Sequence, residues 1–234
     1  MANEWAQVMS ILKAQIDVTS GYNNGNDLTI NAEALSETML HEQVHAAHYN
    51  KVGNAWWADF VNAELQEMAT TNNPPYGNGN TANSPLIALG ESWGFYMGHF
   101  LTNMKYGGGS VGWNAQGFFY GNGVIRQDGV DVAITGLNAH LNLLEDFSPL
   151  RGVDPFRWIP RGLYYDLLDN RNDNLQTPVR VPLVDDVLNY SNESFFNALD
   201  ADIRSLPNYR TRLLSENGNS QAGGVNTIFN FYGF

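Results

Sequence analysis

The chain has 234 residues, with 24 acidic side chains against 12 basic ones and no cysteine. A net charge of -12 repels phosphate groups, which disfavours DNA or RNA as a partner. The absence of cysteine excludes disulfides and thiolate chemistry, so any metal must be bound by His, Asp or Glu. The apolar runs are far shorter than the roughly 20 residues of a membrane span, and we expect no such span.

The first two predicted helices follow each other directly. Asn31 is a suitable N-cap for a helix that has Glu33 in its first turn and ends near Gly53. Apolar residues then recur at helical spacing from Trp57 to Met68, which predicts a second helix immediately after the first.

The third helix is predicted from Ser84 to about Met104, because the serine hydroxyl can cap the first turn and Pro85 needs no N–H there. The glycine-rich stretch from Val111 to Leu137 is predicted to be irregular with one hairpin. We predict a mainly α fold, α+β at most, in a single domain over residues 1–234. Further helices are predicted over residues 137–147, 162–168, 192–206 and 209–216.

The five residues from His41 to His45 match H-E-x-x-H and lie inside the first predicted helix. Residues four apart share one helix face, so the two imidazoles have the spacing that a single Zn²⁺ requires. Glu42 is turned about 100° from His41, where its carboxylate can take a proton from a metal-activated water without binding the metal. The motif predicts two zinc ligands and a general base; the alternative is an ordinary amphipathic helix with two histidines.

Two histidines leave a zinc site incomplete, so a third ligand is needed. The metzincin pattern requires Gly and His seven and ten residues after the first His, but this chain has His48 and Lys51 there. His48 lies about 10 Å along the helix axis from His41, which is too far to share its zinc. It is either a residue of the cleft or an exposed polar side chain.

Glu91, on the third helix, is the predicted third ligand. It lies beside Gly90, Gly94 and Gly98, and each glycine costs up to about 1 kcal/mol in a helix interior. Three glycines four residues apart form a stripe without side chains, which would let the histidine helix approach Glu91. The alternative is a stripe that packs a core helix while Glu91 faces solvent.

This arrangement resembles the gluzincin branch of zinc metallopeptidases, the group of thermolysin. The resemblance covers residues 31–104 and implies a zincin-like helix pair that binds Zn²⁺ through His41, His45 and Glu91. It also implies Glu42 as general base and a peptide or protein substrate. Residues 137–234 are predicted, from their own helical segments, to form a helical C-terminal lobe.

The chain departs from the thermolysin pattern N-E-x-x-S-D around the third ligand. Gly90 precedes Glu91, and Gly94 and Phe95 stand in place of Ser and Asp. The carboxylate that would orient a ligating histidine is therefore unassigned.

The donor that would stabilise the oxyanion is predicted from position alone. Thermolysin-like enzymes bring a His from a C-terminal helical lobe, but no His follows His140 in this chain. His99 is the predicted catalytic donor, because it lies about 80° round the helix from Glu91. A buried tyrosine is more often a core residue than a donor. The other candidates are His140, Tyr96, Tyr164 and Tyr165.

Three functions are compatible with these residues. The first is a zinc-dependent peptidase, for which the acidic charge favours basic substrates. The others are a zinc hydrolase of a non-peptide amide or ester, and a non-catalytic binding domain of the same fold. A low content of charged residues, 15%, resembles that of secreted or cell-surface bacterial enzymes and predicts an extracellular or cell-envelope location, although the N-terminal residues do not form a signal peptide.

Overall fold

The computed structural model describes residues 28–71, 75–106, 124–127, 130–133, 158–168, 183, 186–188 and 190–234. These residues are mainly helical, as predicted. Among the described helices, none is long and apolar enough to cross a bilayer. The helices are α1 (Leu28–Val52), α2 (Asn54–Thr71), α3 (Ser84–Tyr106), α4 (Leu163–Leu168), α5 (Asn192–Asn197), α6 (Leu206–Glu216) and α7 (Ala222–Phe231).

The described residues contain one β-sheet, a short two-stranded hairpin. Strand β1 (Val124–Gln127) pairs antiparallel with β2 (Val130–Ala133), and Ile125 is opposite Val132. The hairpin predicted between Val111 and Leu137 is therefore confirmed. The helix predicted over residues 137–147 lies outside the described residues.

A single glycine separates α1 from α2. Gly53 has a φ of +81°, a left-handed conformation that glycine adopts without a steric penalty. Its N–H donates to the carbonyl of Tyr49 at 2.8 Å and closes the last turn of α1. Helix α2 begins at the next residue, Asn54, so the prediction of two consecutive helices is confirmed.

Two predicted N-caps are wrong. Helix α1 begins at Leu28, so Asn31 lies inside it. Helix α3 begins at Ser84 as predicted, but the serine hydroxyl accepts the N–H of Thr81 at 3.0 Å instead of an N–H of the first turn. Short polar side chains bond either way along the backbone, and the preceding turn is the partner here.

The helix predicted over residues 192–206 is wrong in its second half. Helix α5 ends at Asn197, and α6 begins at Leu206, three residues earlier than predicted. The hydroxyl of Ser205 accepts the N–H of Asn208 at 3.3 Å and caps α6. Pro207 lies in the first turn, where its missing N–H costs nothing.

Helix α7 was not predicted. Gly223 and Gly224 lie in its first turn, and glycine is about 1 kcal/mol less favourable than alanine in a helix. Val225, Ile228 and Phe229 are nevertheless buried along one face. Burial of this face outweighs the local propensity, a contribution that a sequence window does not contain.

The described residues form two compact units. The first contains α1 up to Ala46, α3 from Met97, and the hairpin. Within it, α1 and α3 approach closely at Gly98, where an added Cβ would lie 3.0 Å from the Cβ of His41. It would also lie 3.1 Å from the carbonyl oxygen of Glu37. The absence of a side chain at Gly98 permits this spacing.

The second unit contains α1 from Ala47, α2, α3 up to Tyr96, and α4 to α7. The indole N–H of Trp56 donates to the carbonyl of Ile203 at 2.7 Å and ties α2 to the segment before α6. Gly90 packs against the ring of Phe60. That the whole chain is one domain stays a prediction. The largest fully buried aromatic side chains are Trp56, Trp158, Tyr96, Tyr164, Tyr209, Tyr232, Phe195 and Phe229.

Candidate metal centre

Two histidine rings of α1 face each other one helical turn apart. The side chains of His41 and His45 are 5% and 6% exposed. Their Nε2 atoms are 2.9 Å apart, and the ring planes meet at 88°. Two nitrogen ligands of one tetrahedral Zn²⁺ are about 3.3 Å apart, since each Zn–N bond is about 2.0 to 2.1 Å long. The two Nε2 atoms therefore have a spacing that suits one shared metal ion.

Glu91 of α3 completes the group. It is 3% exposed, so the alternative of a solvent-facing glutamate is excluded. The ligand atoms of His41, His45 and Glu91 all lie within 4.8 Å of one another. Two imidazoles and one carboxylate are the donor set of catalytic zinc sites, which keep a further position for water or substrate. The residues present thus fit a metal ion, although the same donors also bind Fe²⁺.

Glu42 is adjacent to the group without belonging to it. It follows His41 in α1, is half-buried, and is not among the three residues whose ligand atoms converge. Rotation of about 100° per residue separates its side chain from that of His41. A carboxylate beside a ligand, but outside the ligand set, can accept and return a proton.

The other two described histidines are also buried. The ring of His48 is 4.6 Å from that of Trp56, so the alternative of an exposed polar side chain is wrong. His99 directly follows Gly98 in α3. Neither belongs to the ligand group. The catalytic role of His99 stays a prediction, and His140 lies outside the described residues.

The three candidate tyrosines lie in the aromatic core of the second unit. The hydroxyl of Tyr96 donates to the amide oxygen of Asn192 at 2.5 Å. The ring of Tyr164 stacks on Tyr96, with centroids 5.0 Å apart, and that of Tyr165 meets it edge-on. Burial raises the pKa of Tyr164, so its hydroxyl stays protonated at neutral pH. These contacts account for the burial of the tyrosines without a catalytic role.

Sequence reasoning missed Glu37, which is 1% exposed. It lies in α1 four residues before His41, and therefore on the face that carries both histidines. The four-residue spacing from Glu37 through His41 to His45 was visible in the sequence. Its significance depends on burial, which the spacing alone does not establish.

Arg161 was also missed. Its side chain is buried, and the guanidinium carbon lies 3.8 Å from the centre of the Phe95 ring. Phe95 lies one turn after Glu91 on α3. The guanidinium of Arg161 is a permanently charged planar cation, and within the second unit it stacks on the face of the Phe95 ring. No local pattern connects two residues so distant in the chain.

Comparison with protein-family models, with curated proteins and with solved structures gives no match. The resemblance to gluzincins therefore depends on the motif and on the three converging side chains.

Proposed function

We propose that this protein is a zinc-dependent peptidase whose metal is bound by His41, His45 and Glu91. The observation that supports the proposal is the buried group of two imidazoles and one carboxylate, with ligand atoms within 4.8 Å of one another. Glu42, half-buried beside this group, favours hydrolysis over other metal chemistry, since hydrolysis requires a base next to the ligands. The resemblance to gluzincins favours a peptide bond as substrate.

Zinc bound at these residues would supply Lewis-acid polarisation of the scissile carbonyl and a lowered pKa for the attacking water. Glu42 accepts a proton from this water as the new C–O bond forms. It then donates the proton to the leaving nitrogen as the C–N bond breaks, and so returns to its carboxylate form. His41, His45 and Glu91 keep their protonation states throughout.

Burial of the ligands contributes to this chemistry. All three are below one tenth exposed, so water does not screen their charges and dipoles effectively. Polar groups that are already oriented in a site of low dielectric stabilise developing charge without reorganisation.

The test combines metal analysis with a cleavage assay. We expect the purified chain to hold one zinc per molecule and to cleave casein or a peptide library, with cleavage lost on chelation and restored by zinc. Glu42→Gln keeps the shape of the side chain but removes its basicity. We expect this variant to retain zinc while cleavage falls by roughly 10² to 10⁴-fold.

The matched control is Glu64→Gln, which alters a half-buried glutamate of α2 and should retain both zinc and cleavage. Full activity of Glu42→Gln, or a protein that binds no zinc even after reconstitution, would overturn the proposal. Turnover of small amides or esters without peptide cleavage would instead support the non-peptide hydrolase. Bound zinc without any turnover would support the binding domain.

A further inference from the structure

A carboxylate is buried at the N-terminal side of the two histidines. Glu37 of α1 is 1% exposed. A charged group that is removed from water is costly unless a hydrogen-bond donor or an opposite charge lies next to it. The position of Glu37 in the interior therefore needs a reason in its surroundings.

The helix itself directs a donor towards this carboxylate. Side chains on an α-helix lean towards its N-terminus, so residues four apart contact one another. The ring of His41 therefore leans over the turn that carries Glu37. No loop or neighbouring helix is needed to bring the two side chains together.

The packing of α3 keeps water away from this turn. Gly98 lies against the backbone of α1, so that an added Cβ would be 3.1 Å from both the carbonyl oxygen of Glu37 and the amide nitrogen of His41. Thr102 and His99, on the same part of α3, are buried as well. A polar contact made in such a place is stronger than the same contact in water.

The facing Nε2 atoms indicate which ring nitrogen would carry the proton once a metal is bound. His41 and His45 approach through Nε2 at 2.9 Å, so a metal ion shared by them would bind these two atoms. A neutral imidazole that binds a metal through Nε2 has its proton on Nδ1. That N–H requires an acceptor, and carboxylates commonly fill this role for metal-binding histidines.

We infer that Glu37 is a positioning residue for the metal centre, whose carboxylate accepts the Nδ1–H of His41 and holds the ring with Nε2 towards the metal. The inference rests on the proposed zinc site, but not on the reaction that the site performs. Glu37 would then be the carboxylate that orients a ligating histidine, which the sequence analysis left unassigned.

Zinc affinity and the stability of the zinc-free protein distinguish this role from a purely structural one. Glu37→Met replaces the carboxylate by an apolar side chain of similar length. We expect its zinc affinity to fall by about 10 to 100-fold, while the melting temperature of its zinc-free form measures what Glu37 contributes without metal.

The experiment measures the zinc dissociation constant by competition with a chromophoric chelator, together with the melting temperature of the zinc-free protein. Glu37→Gln retains an acceptor oxygen without the charge, and we expect it to lose less affinity than Glu37→Met. The matched control is Glu67→Met, which removes another buried carboxylate. Glu67 accepts hydrogen bonds from Thr81 at 2.6 Å and Asn83 at 3.0 Å, so the control should melt lower but bind zinc as wild type does.

A spectroscopic measurement of the Nδ1 proton of His41 tests its hydrogen bond directly. In the zinc-loaded protein labelled with ¹⁵N-histidine, we expect a low-field Nδ1 proton on His41 that moves upfield in Glu37→Gln. This comparison also tests the inference if Glu37→Met does not fold. A His41 proton that is unchanged in Glu37→Gln would overturn it.

The remaining outcomes separate this inference from the proposed function. Wild-type zinc affinity in both Glu37 variants would overturn the inference alone and would indicate another partner for Glu37, such as His99. If the Glu37 variants bind zinc more weakly but the wild-type chain cleaves no peptide, the inference is supported and the peptidase proposal is not. A wild-type chain that binds no zinc would overturn both.

Discussion

The two imidazoles of α1 approach to 2.9 Å through Nε2 because they are four residues apart on a regular helix. Glu91 differs, because α3 must bring its carboxylate to the same point. The three candidate ligands therefore differ in what positions them: helix geometry positions the two histidines, and packing positions Glu91. Residue substitutions test the positioning of Glu91 by packing most directly.

Glu91→Ala should abolish zinc binding. Two histidines alone leave the coordination incomplete, so we expect a larger loss of affinity than the about 10 to 100-fold of a positioning residue. Zinc per chain, measured after dialysis against a weak chelator, checks this. Glu193→Ala, at an exposed glutamate of α5, is the control. A full equivalent of zinc in Glu91→Ala would exclude this glutamate as a ligand.

At the scale of elements, α1 and α3 matter because they carry the three candidate ligands. Both were predicted with their type correct, since caps, helical spacing and glycine ends all favour the same helices. Their first turns were less predictable, because the Ser84 hydroxyl accepts the N–H of Thr81 in the preceding turn and α1 starts before Asn31. Their close approach at Gly98 depends on a glycine that helix propensity alone disfavours.

Gly98→Ala tests this approach. Alanine gains about 1 kcal/mol of helix propensity, but its Cβ would press on backbone atoms of α1 at 3.1 Å, and overpacking costs about 1 to 3 kcal/mol. We expect a net loss in the free energy of unfolding, measured in urea. Gly223→Ala in α7 meets nothing within 4 Å and should instead gain about 0.5 to 1 kcal/mol. Equal stabilisation by both substitutions would contradict the close packing at Gly98.

At the scale of the whole molecule, the aromatic core of the second unit contains the largest fully buried side chains of the described residues. Tyr164 and Tyr209 lie at its centre, with ring centroids 5.8 Å apart. The Tyr209 hydroxyl donates to the carbonyl of Phe195 at 3.0 Å. Desolvation by burial raises the pKa of both tyrosines above the ordinary value of 10.0.

This shift predicts a loss of stability in alkali. Above about pH 10 the unfolded chain releases the protons of both tyrosines, whereas the folded chain retains them. The contribution is therefore fully present below that pH and is lost as the pH rises through and beyond it. We expect the free energy of unfolding to begin to fall near about pH 10 and to continue to fall as the pH rises above it. Tyr209→Phe should reduce the slope, and an identical slope in this variant would contradict the assignment.

The prediction of the fold succeeded where the determinants are local. The glycine at the end of α1, the apolar spacing in α2 and the Ser-Pro start of α3 each act within one turn of the chain. It failed for α7, where burial of one face outweighs the low helix propensity of two glycines, and it missed the break after Asn197 and the Ser205 cap that begins α6. Resemblance to gluzincins, substrate and location remain predictions.

The sequence by itself determined that two imidazoles and a carboxylate lie close together, because H-E-x-x-H requires only a regular helix to do so. Only the tertiary structure decided that Glu91 meets them, that Glu37 is withdrawn from water, and that Arg161 stacks on Phe95. The physical reason is that contacts within one helix follow from its repeat, whereas contacts between distant segments depend on the packing of many side chains at once.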